Sequence, residues 1–171
     1  NAALGRRGIR MKFFPENPIL VYRPFHLNER NYLYLADRGR IYGDVRLFDD
    51  QGTGIHFYTN REDTIADQEM TVELSRIDLK QFKKVLPYLP DVEGWLGGSL
   101  HYVDSEGQMM LSADMNLDNF VYEKSPLGNW TMSGAYLPGD NNAHHVDGFI
   151  TYNDQEIIYM NGVYQADETG Q

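Results

Sequence analysis

Histidine and carboxylate side chains are the groups in this sequence that could do acid–base or metal chemistry. The chain has five His and 25 Asp and Glu residues but no Cys, which excludes disulfides, a thiolate nucleophile and metal sites built on thiolates. His26, His56 and His101 are scattered over alternating segments. His144 and His145 are adjacent in a turn-like neighbourhood, and on an extended strand they would point to opposite faces. We therefore predict no metal site.

The carboxylates leave one enzymatic hypothesis open, a glycosidase pair, because two carboxyl groups from distant strands could reach the separation that this chemistry needs. Most of the acids, however, fall in turns or at the polar positions of alternating segments, as solvated carboxylates do. The sequence has no phosphate loop, dinucleotide fingerprint, His-Glu-x-x-His or Gly-x-Ser-x-Gly motif. We expect no catalytic residues and no cofactor.

The net charge argues against a nucleic-acid partner. The acidic residues outnumber 15 Lys and Arg, and the formal charge of −10 would repel a phosphate backbone. We interpret the acid excess as a solvated surface, and a docking face for a basic partner or a cation is the alternative.

Apolar side chains at every second position form the strongest pattern in the sequence. The positions that would share one face are Val45, Leu47, Ile55, Phe57, Met70, Val72, Leu74, Leu100, Tyr102, Leu111, Met115, Trp130, Met132 and Ile150. Such a face is either the core of a closed sandwich or the lining of an open groove, where burial of an acyl chain gains about 0.8 kcal/mol per methylene. The seven Met suit a surface that accepts changing shapes.

Strands must hold these positions on one face. Alternating runs recur near 19–25, 31–36, 40–48, 53–59, 70–75, 98–103, 109–117, 129–137, 145–152 and 155–164. Short turns such as 37–39, 49–52 and 104–107 join them, and twelve Tyr, eight Phe and sixteen Gly also favour β-structure. The predicted fold is all-β: one domain over 1–171, an antiparallel meander of about ten strands, curled into an open groove or packed as a sandwich.

One segment departs from this pattern and predicts a short helix near 78–86. Asp78 can cap its N-terminus, and Pro87 and Pro90 would stop it. Its apolar face would consist of Leu79, Phe82, Val85 and Leu86. We interpret this helix as a plug over a sheet edge or an open barrel end, and a partner-binding helix is the alternative.

A weak internal repeat also runs through the chain. A Gly-x-aliphatic-x-apolar-x-Asp frame occurs near 43–54, 98–109 and 148–154, and the first two copies also share Gly52 and Gly107. Three copies favour stacked β-units, in which Gly allows close backbone approach and Asp begins a turn. The sequence thus predicts a segment of a longer, repeat-like β-protein.

Several stretches resemble the TamB family, the translocation and assembly module with a domain of unknown function 490. Residues 79–100 are similar to its short helix, Pro break and Gly-rich return to strand. The stretches 118–122, 127–130 and 161–164 look like its repeating strand signatures. Tyr22-Arg23-Pro24-Phe25, Asn31-Tyr32 and 50–54 look most like its Bacteroidetes members.

This resemblance implies a non-enzymatic periplasmic protein whose parent is anchored in the inner membrane by a helix that this chain lacks. It implies a long β-taco whose apolar groove shields or conducts phospholipid acyl chains, and which supports outer-membrane protein assembly. An outer-membrane barrel and adjacent repeats of the parent chain are the expected partners, so both end strands should carry unpaired edges.

A binding module from a different class is the alternative. In it, a β-sandwich would recognise carbohydrate or protein through surface aromatics such as Trp95, Tyr136 and Tyr159.

Overall fold

The computed structural model describes residues 2–5, 8–15, 17–20, 23–60, 67–85, 88, 90–139 and 143–165. The first strands are β1 (Ala2–Gly5), β2 (Gly8–Met11), β3 (Ile19–Leu20), β4 (Arg23–Pro24), β5 (His26–Leu27) and β6 (Tyr32–Ala36). A 3₁₀ turn (Asp37–Gly39), β7 (Ile41–Phe48), β8 (Gly54–Thr59), β9 (Gln68–Asp78) and helix α1 (Leu79–Val85) follow. The long strands are β10 (Val92–Ser105), β11 (Gln108–Tyr122), β12 (Ser125–Pro138), β13 (Ala143–Tyr152) and β14 (Gln155–Gln165).

A single large sheet dominates the fold. Twelve strands form it, in the order β1-β2-β6-β7-β8-β9-β10-β11-β12-β13-β14, with β5 paired to β7. Every pairing is antiparallel, and consecutive strands from β6 to β14 are neighbours, so the predicted all-β meander is confirmed. In the part of the chain that the structure describes, the only other sheet is the two-stranded β3–β4 pair. The large sheet is therefore open, and the closed sandwich is not formed.

Tight turns connect the long strands. Both central residues have a positive φ at 106–107 (54° and 79°), 123–124 (45° and 68°) and 153–154 (46° and 66°). This is the type I′ conformation, whose twist matches that of the flanking strands. The turn predicted at 104–107 is confirmed.

The glycines that open the repeated frame lie where neighbouring strands approach closely. A Cβ on Gly98 would overlap the carbonyl oxygen of Asp114, and φ at Gly98 is 132°. A Cβ on Gly148 would lie 2.8 Å from the carbonyl oxygen of Ser133. The frame therefore marks backbone contacts that only glycine permits.

The predicted helix is present and begins at its predicted cap. The Asp78 carboxylate accepts a 3.0 Å hydrogen bond from the Lys80 backbone N–H and a 2.9 Å bond from the Gln81 side-chain amide. The side chains of Phe82 and Val85, together with Leu86 and Pro87, lie outside the described residues.

Three details differ from the sequence prediction. The run at 19–25 is not one strand but the β3–β4 pair, and β1 and β2 were not predicted. The long strands extend beyond the runs of alternating apolar and polar residues that predicted them. For example, β10 begins at Val92, whereas its predicted run begins near residue 98. His144 and His145 lie within β13 and not in a turn, and their register places them on opposite faces, as expected for adjacent strand residues.

A hydrophobic core is nearly absent from the described residues. Tyr42, which is 5% exposed, is the only hydrophobic residue among them that is buried. The chain has a mass of 19.7 kDa and exposes 12189 Å², whereas a compact monomer of this mass exposes about 8,600 Å². The sheet is therefore held together mainly by its strand ladders and cross-strand pairs.

Candidate functional site: an open apolar face

The strand register places the predicted groove residues on one face of the sheet. Directly paired residues share a face, and one such line joins Phe57, Val72, Leu100 and Ala113 across β8 to β11. Side chains alternate along each strand, so the same face holds the other predicted positions. These are Val45, Leu47, Ile55, Met70, Leu74, Tyr102, Leu111, Met115, Trp130, Met132 and Ile150. We call this surface the apolar face.

The apolar face is open to solvent. Leu100, Leu111 and Met132 are 41%, 46% and 43% exposed, and none of the predicted groove residues is fully buried. The face continues through the exposed Ile158 and Met160 of β14. Side chains that packed against a second sheet would be largely covered. This surface is therefore available to a ligand.

A row of small residues crosses three strands of the apolar face. Ala113 in β11 pairs with Gly134 in β12, and Gly134 pairs with Gly148 in β13. The next side chains on this face lie about 7 Å away along each strand, on either side of the row. The row therefore forms a shallow trough, wide enough for one alkyl chain lying across the strands. Sequence reasoning missed it, because only the register shows that these residues are adjacent.

A concavity of about 350 Å³ adjoins this trough. It is lined by Leu96, Met115, Asn116, Leu117, Phe120, Trp130, Thr131, Met132 and Ile150. Asn116 and Thr131 are the two polar residues of this lining, and the other seven are apolar. No charged residue lines the concavity. Such a surface can hold hydrocarbon by burial, but it offers no group for acid–base chemistry.

Aromatic side chains flank the trough. On one side the rings of Trp130 and Tyr152 lie 5.0 Å apart, centroid to centroid. On the other side the His144 ring stacks between Tyr136, at 5.7 Å, and Tyr164, at 6.3 Å. Trp130 and Tyr136 lie about 20 Å apart along β12. Aromatic side chains thus border the open part of the apolar face on both sides. Each of them combines an apolar ring with a polar group.

Residues from the N-terminal part of the chain line a cavity at the opposite end of the apolar face. This cavity of about 270 Å³ lies between Leu20, Arg23 and Phe25, the sheet and the start of α1. Its apolar walls come from Leu20, Phe25, Leu47, Ile55 and Ile77, with Arg23, Asp78 and Gln81 also lining it. Two of the predicted groove residues, Leu47 and Ile55, therefore line this cavity, and Ile55 is still 43% exposed.

The opposite surface, which we call the polar face, is organised by cross-strand hydrogen bonds. The His56 Nε2 atom lies 3.0 Å from an Asp44 carboxylate oxygen, and its Nδ1 atom lies 3.6 Å from Glu73. The Tyr58 hydroxyl donates a 2.8 Å hydrogen bond to Glu73. This bond, aided by burial, raises the pKa of Tyr58.

A second histidine makes a similar arrangement nearby. The His101 Nδ1 atom lies 2.8 Å from the Thr71 hydroxyl, and its Nε2 atom lies 3.4 Å from Glu69. Over the described ranges, no three or more His, Asp or Glu residues are grouped closely enough to hold a metal ion. His56 and His101 are thus accounted for by contacts with neighbouring strands of the sheet.

The aromatics of the alternative binding module do not form one platform. The register places Trp95 and Tyr159 on the polar face and Tyr136 on the apolar face. Trp95 is in β10 and Tyr159 in β14, so they are about 19 Å apart across the sheet.

No family model matches this sequence, and no curated protein or solved structure matches it either. In the described part of the chain, every helix is too short or too polar to cross a membrane.

Proposed function

We propose that this protein shields phospholipid acyl chains on its apolar face, as a non-enzymatic β-segment of a TamB-like envelope protein. The observation that carries the proposal is the apolar face itself, which runs from β10 to β14 without a covering layer among the described residues. Monomeric soluble proteins rarely leave so large an apolar surface free of a partner or ligand.

The trough fits an alkyl chain better than a compact ligand. Ala113, Gly134 and Gly148 form a floor that crosses the strands, and flexible side chains such as Met115 and Met132 stand beside it. A sixteen-carbon chain that buries half of its surface there gains on the order of 6 kcal/mol, which corresponds to a dissociation constant in the range of tens of micromolar. Binding of this strength shields a chain and still allows it to leave.

The cellular setting of this proposal comes from the resemblance in residues 79–100 and in the later strand signatures. It is the periplasm, in a parent protein anchored in the inner membrane that works with an outer-membrane barrel. There the groove would conduct phospholipid towards the outer membrane and support outer-membrane protein assembly.

The test compares two substitutions at adjacent positions that face opposite sides of β12. Gly134→Met fills the trough, and the glycine tolerates a side chain because its nearest cross-strand atom would lie 3.4 Å from a Cβ. Ala135→Met adds similar bulk on the polar face, where Ala135 pairs with Ser112 and Asp147. Each protein is purified from a bacterial host, extracted with organic solvent and examined by mass spectrometry.

We expect phospholipid or fatty acid to be recovered from the native chain and from Ala135→Met, and several-fold less from Gly134→Met. Circular dichroism checks that both variants keep their β-structure. Native protein without lipid, or equal recovery from the two variants, would contradict the proposal.

A further inference from the structure

Among the described strands, β14 lies at one end of the large sheet, and its outer edge is unpaired. β14 ends the sheet order and pairs only with β13 among the described strands. Residues 155–164 are all exposed, and β14 is 11 residues long. From Ile158 onwards, beyond the register shift at Ile157, its outer backbone N–H and C=O groups therefore form a continuous row that another strand could use.

This edge has a register shift at Ile157, near its start, and little other protection against pairing. Natural edge strands are commonly interrupted by Pro, Lys or inward-pointing charges. Within Gln155–Gln165 the only charged residue is Glu156, and there is no Pro. Tyr159, Val163 and Tyr164 are 60%, 62% and 68% exposed, so the strand is apolar on both faces.

We propose that β14 pairs antiparallel with β14 of a second copy of this chain, about a twofold axis that passes through Asn161. In this register Ile158 lies opposite Tyr164, Tyr159 opposite Val163, and Met160 opposite Gly162. Each pair combines residues of the same face, so the apolar faces of the two copies join into one surface. All of these residues are uncharged, so no like charges would meet when β14 pairs with its copy.

The size of this contact predicts a weak but specific dimer. Two stretches spanning 158–164 would form about seven backbone hydrogen bonds, which is within the usual number for a protein interface. The shared edge is about 24 Å long and buries less than the roughly 800 Å² per partner of a standard interface. We therefore expect dissociation in the micromolar range.

Charge explains why a second copy meets this chain at β14. Each copy has a formal charge of −10, so most approaches between copies are repulsive. The nearest acid to the proposed axis is Asp147 on β13, which accepts a 2.7 Å hydrogen bond from the Asn161 amide. Added salt screens the remaining repulsion, so the dimer should strengthen from 50 mM to 500 mM salt, the ionic-strength range over which the Debye length falls from about 14 Å to about 4 Å.

The decisive experiment is a charge swap between Tyr159 and Val163, which oppose each other in the proposed register. Tyr159→Lys/Val163→Lys places Lys opposite Lys twice and should make the chain monomeric. Tyr159→Lys/Val163→Glu places Lys opposite Glu twice and should keep the dimer. Sedimentation velocity up to about 500 μM, far above the expected dissociation constant, measures all three proteins.

A crosslink checks the position of the axis. The chain has no Cys, so Asn161→Cys creates a single thiol that would meet its copy at a Cα separation suited to a disulfide. Oxidation should give a covalent dimer for Asn161→Cys but not for Glu106→Cys, in an exposed turn. A native monomer at the highest concentration, equal association of the two charged variants, or equal crosslinking of the two Cys variants would overturn the proposal.

Discussion

Tyr58 is the side chain of the polar face whose ionisation is tied most clearly to the fold. Its hydroxyl donates to Glu73 from 2.8 Å, and this bond raises the pKa of Tyr58 above its ordinary value near 10. The folded state therefore holds the tyrosine proton more tightly than the unfolded state. The stability this gives is fully present below pH 10 and is lost as the pH rises through the folded pKa.

Tyr58→Phe should consequently lower the free energy of unfolding at pH 8. The difference in this free energy between the variant and the native chain should become smaller above about pH 10. Urea unfolding at both pH values measures it. Tyr88→Phe is the control, because Tyr88 is 80% exposed. If the loss of unfolding free energy in Tyr58→Phe were the same at both pH values, the hydrogen bond to Glu73 would not be its cause.

At the scale of elements, the close approach of β10 to β11 depends on Gly98. Alanine there would combine a φ of 132° with overlap of the Asp114 carbonyl oxygen. We expect Gly98→Ala to destabilise the protein by about 3 kcal/mol or more.

Gly107→Ala is the matched control for this substitution. Its φ is 79°, but no atom lies within 4 Å of the added Cβ, so the loss should be about 1 kcal/mol. Urea unfolding distinguishes the two variants, and equal losses would mean that the strands can separate at Gly98 without penalty.

The elements that sequence reasoning predicted are those whose signal is local. Alternation along the chain indicated β7 to β14, and Asp78 marked the start of α1, because both patterns involve residues a few positions apart. The pairing of Gly134 with Gly148 was not predicted, since it depends on a register set by long-range strand contacts. The prediction of one strand over 19–25 is wrong because β3 and β4 have only two residues each, too few to show a period of their own.

At the scale of the whole molecule, the two faces of the sheet have separate roles. The polar face is satisfied by its own cross-strand contacts, such as those of His56 and His101. At one end of the apolar face Leu20, Arg23 and Phe25 line a cavity with the sheet, and the face stands open from β10 to β14. An exposed area of 12189 Å² is the consequence of a sheet that packs on little besides itself. The central claim is that acyl chains occupy this open face.

The two tryptophans test that claim directly, because Trp130 lies on the apolar face and Trp95 on the polar face. Trp95→Phe and Trp130→Phe each leave one tryptophan, and phosphatidylcholine with brominated acyl chains quenches a tryptophan that its chains contact. We predict strong, saturable quenching of Trp130 in the Trp95→Phe protein and little quenching of Trp95 in the Trp130→Phe protein. Equal quenching of the two, or no quenching of Trp130, would contradict the account.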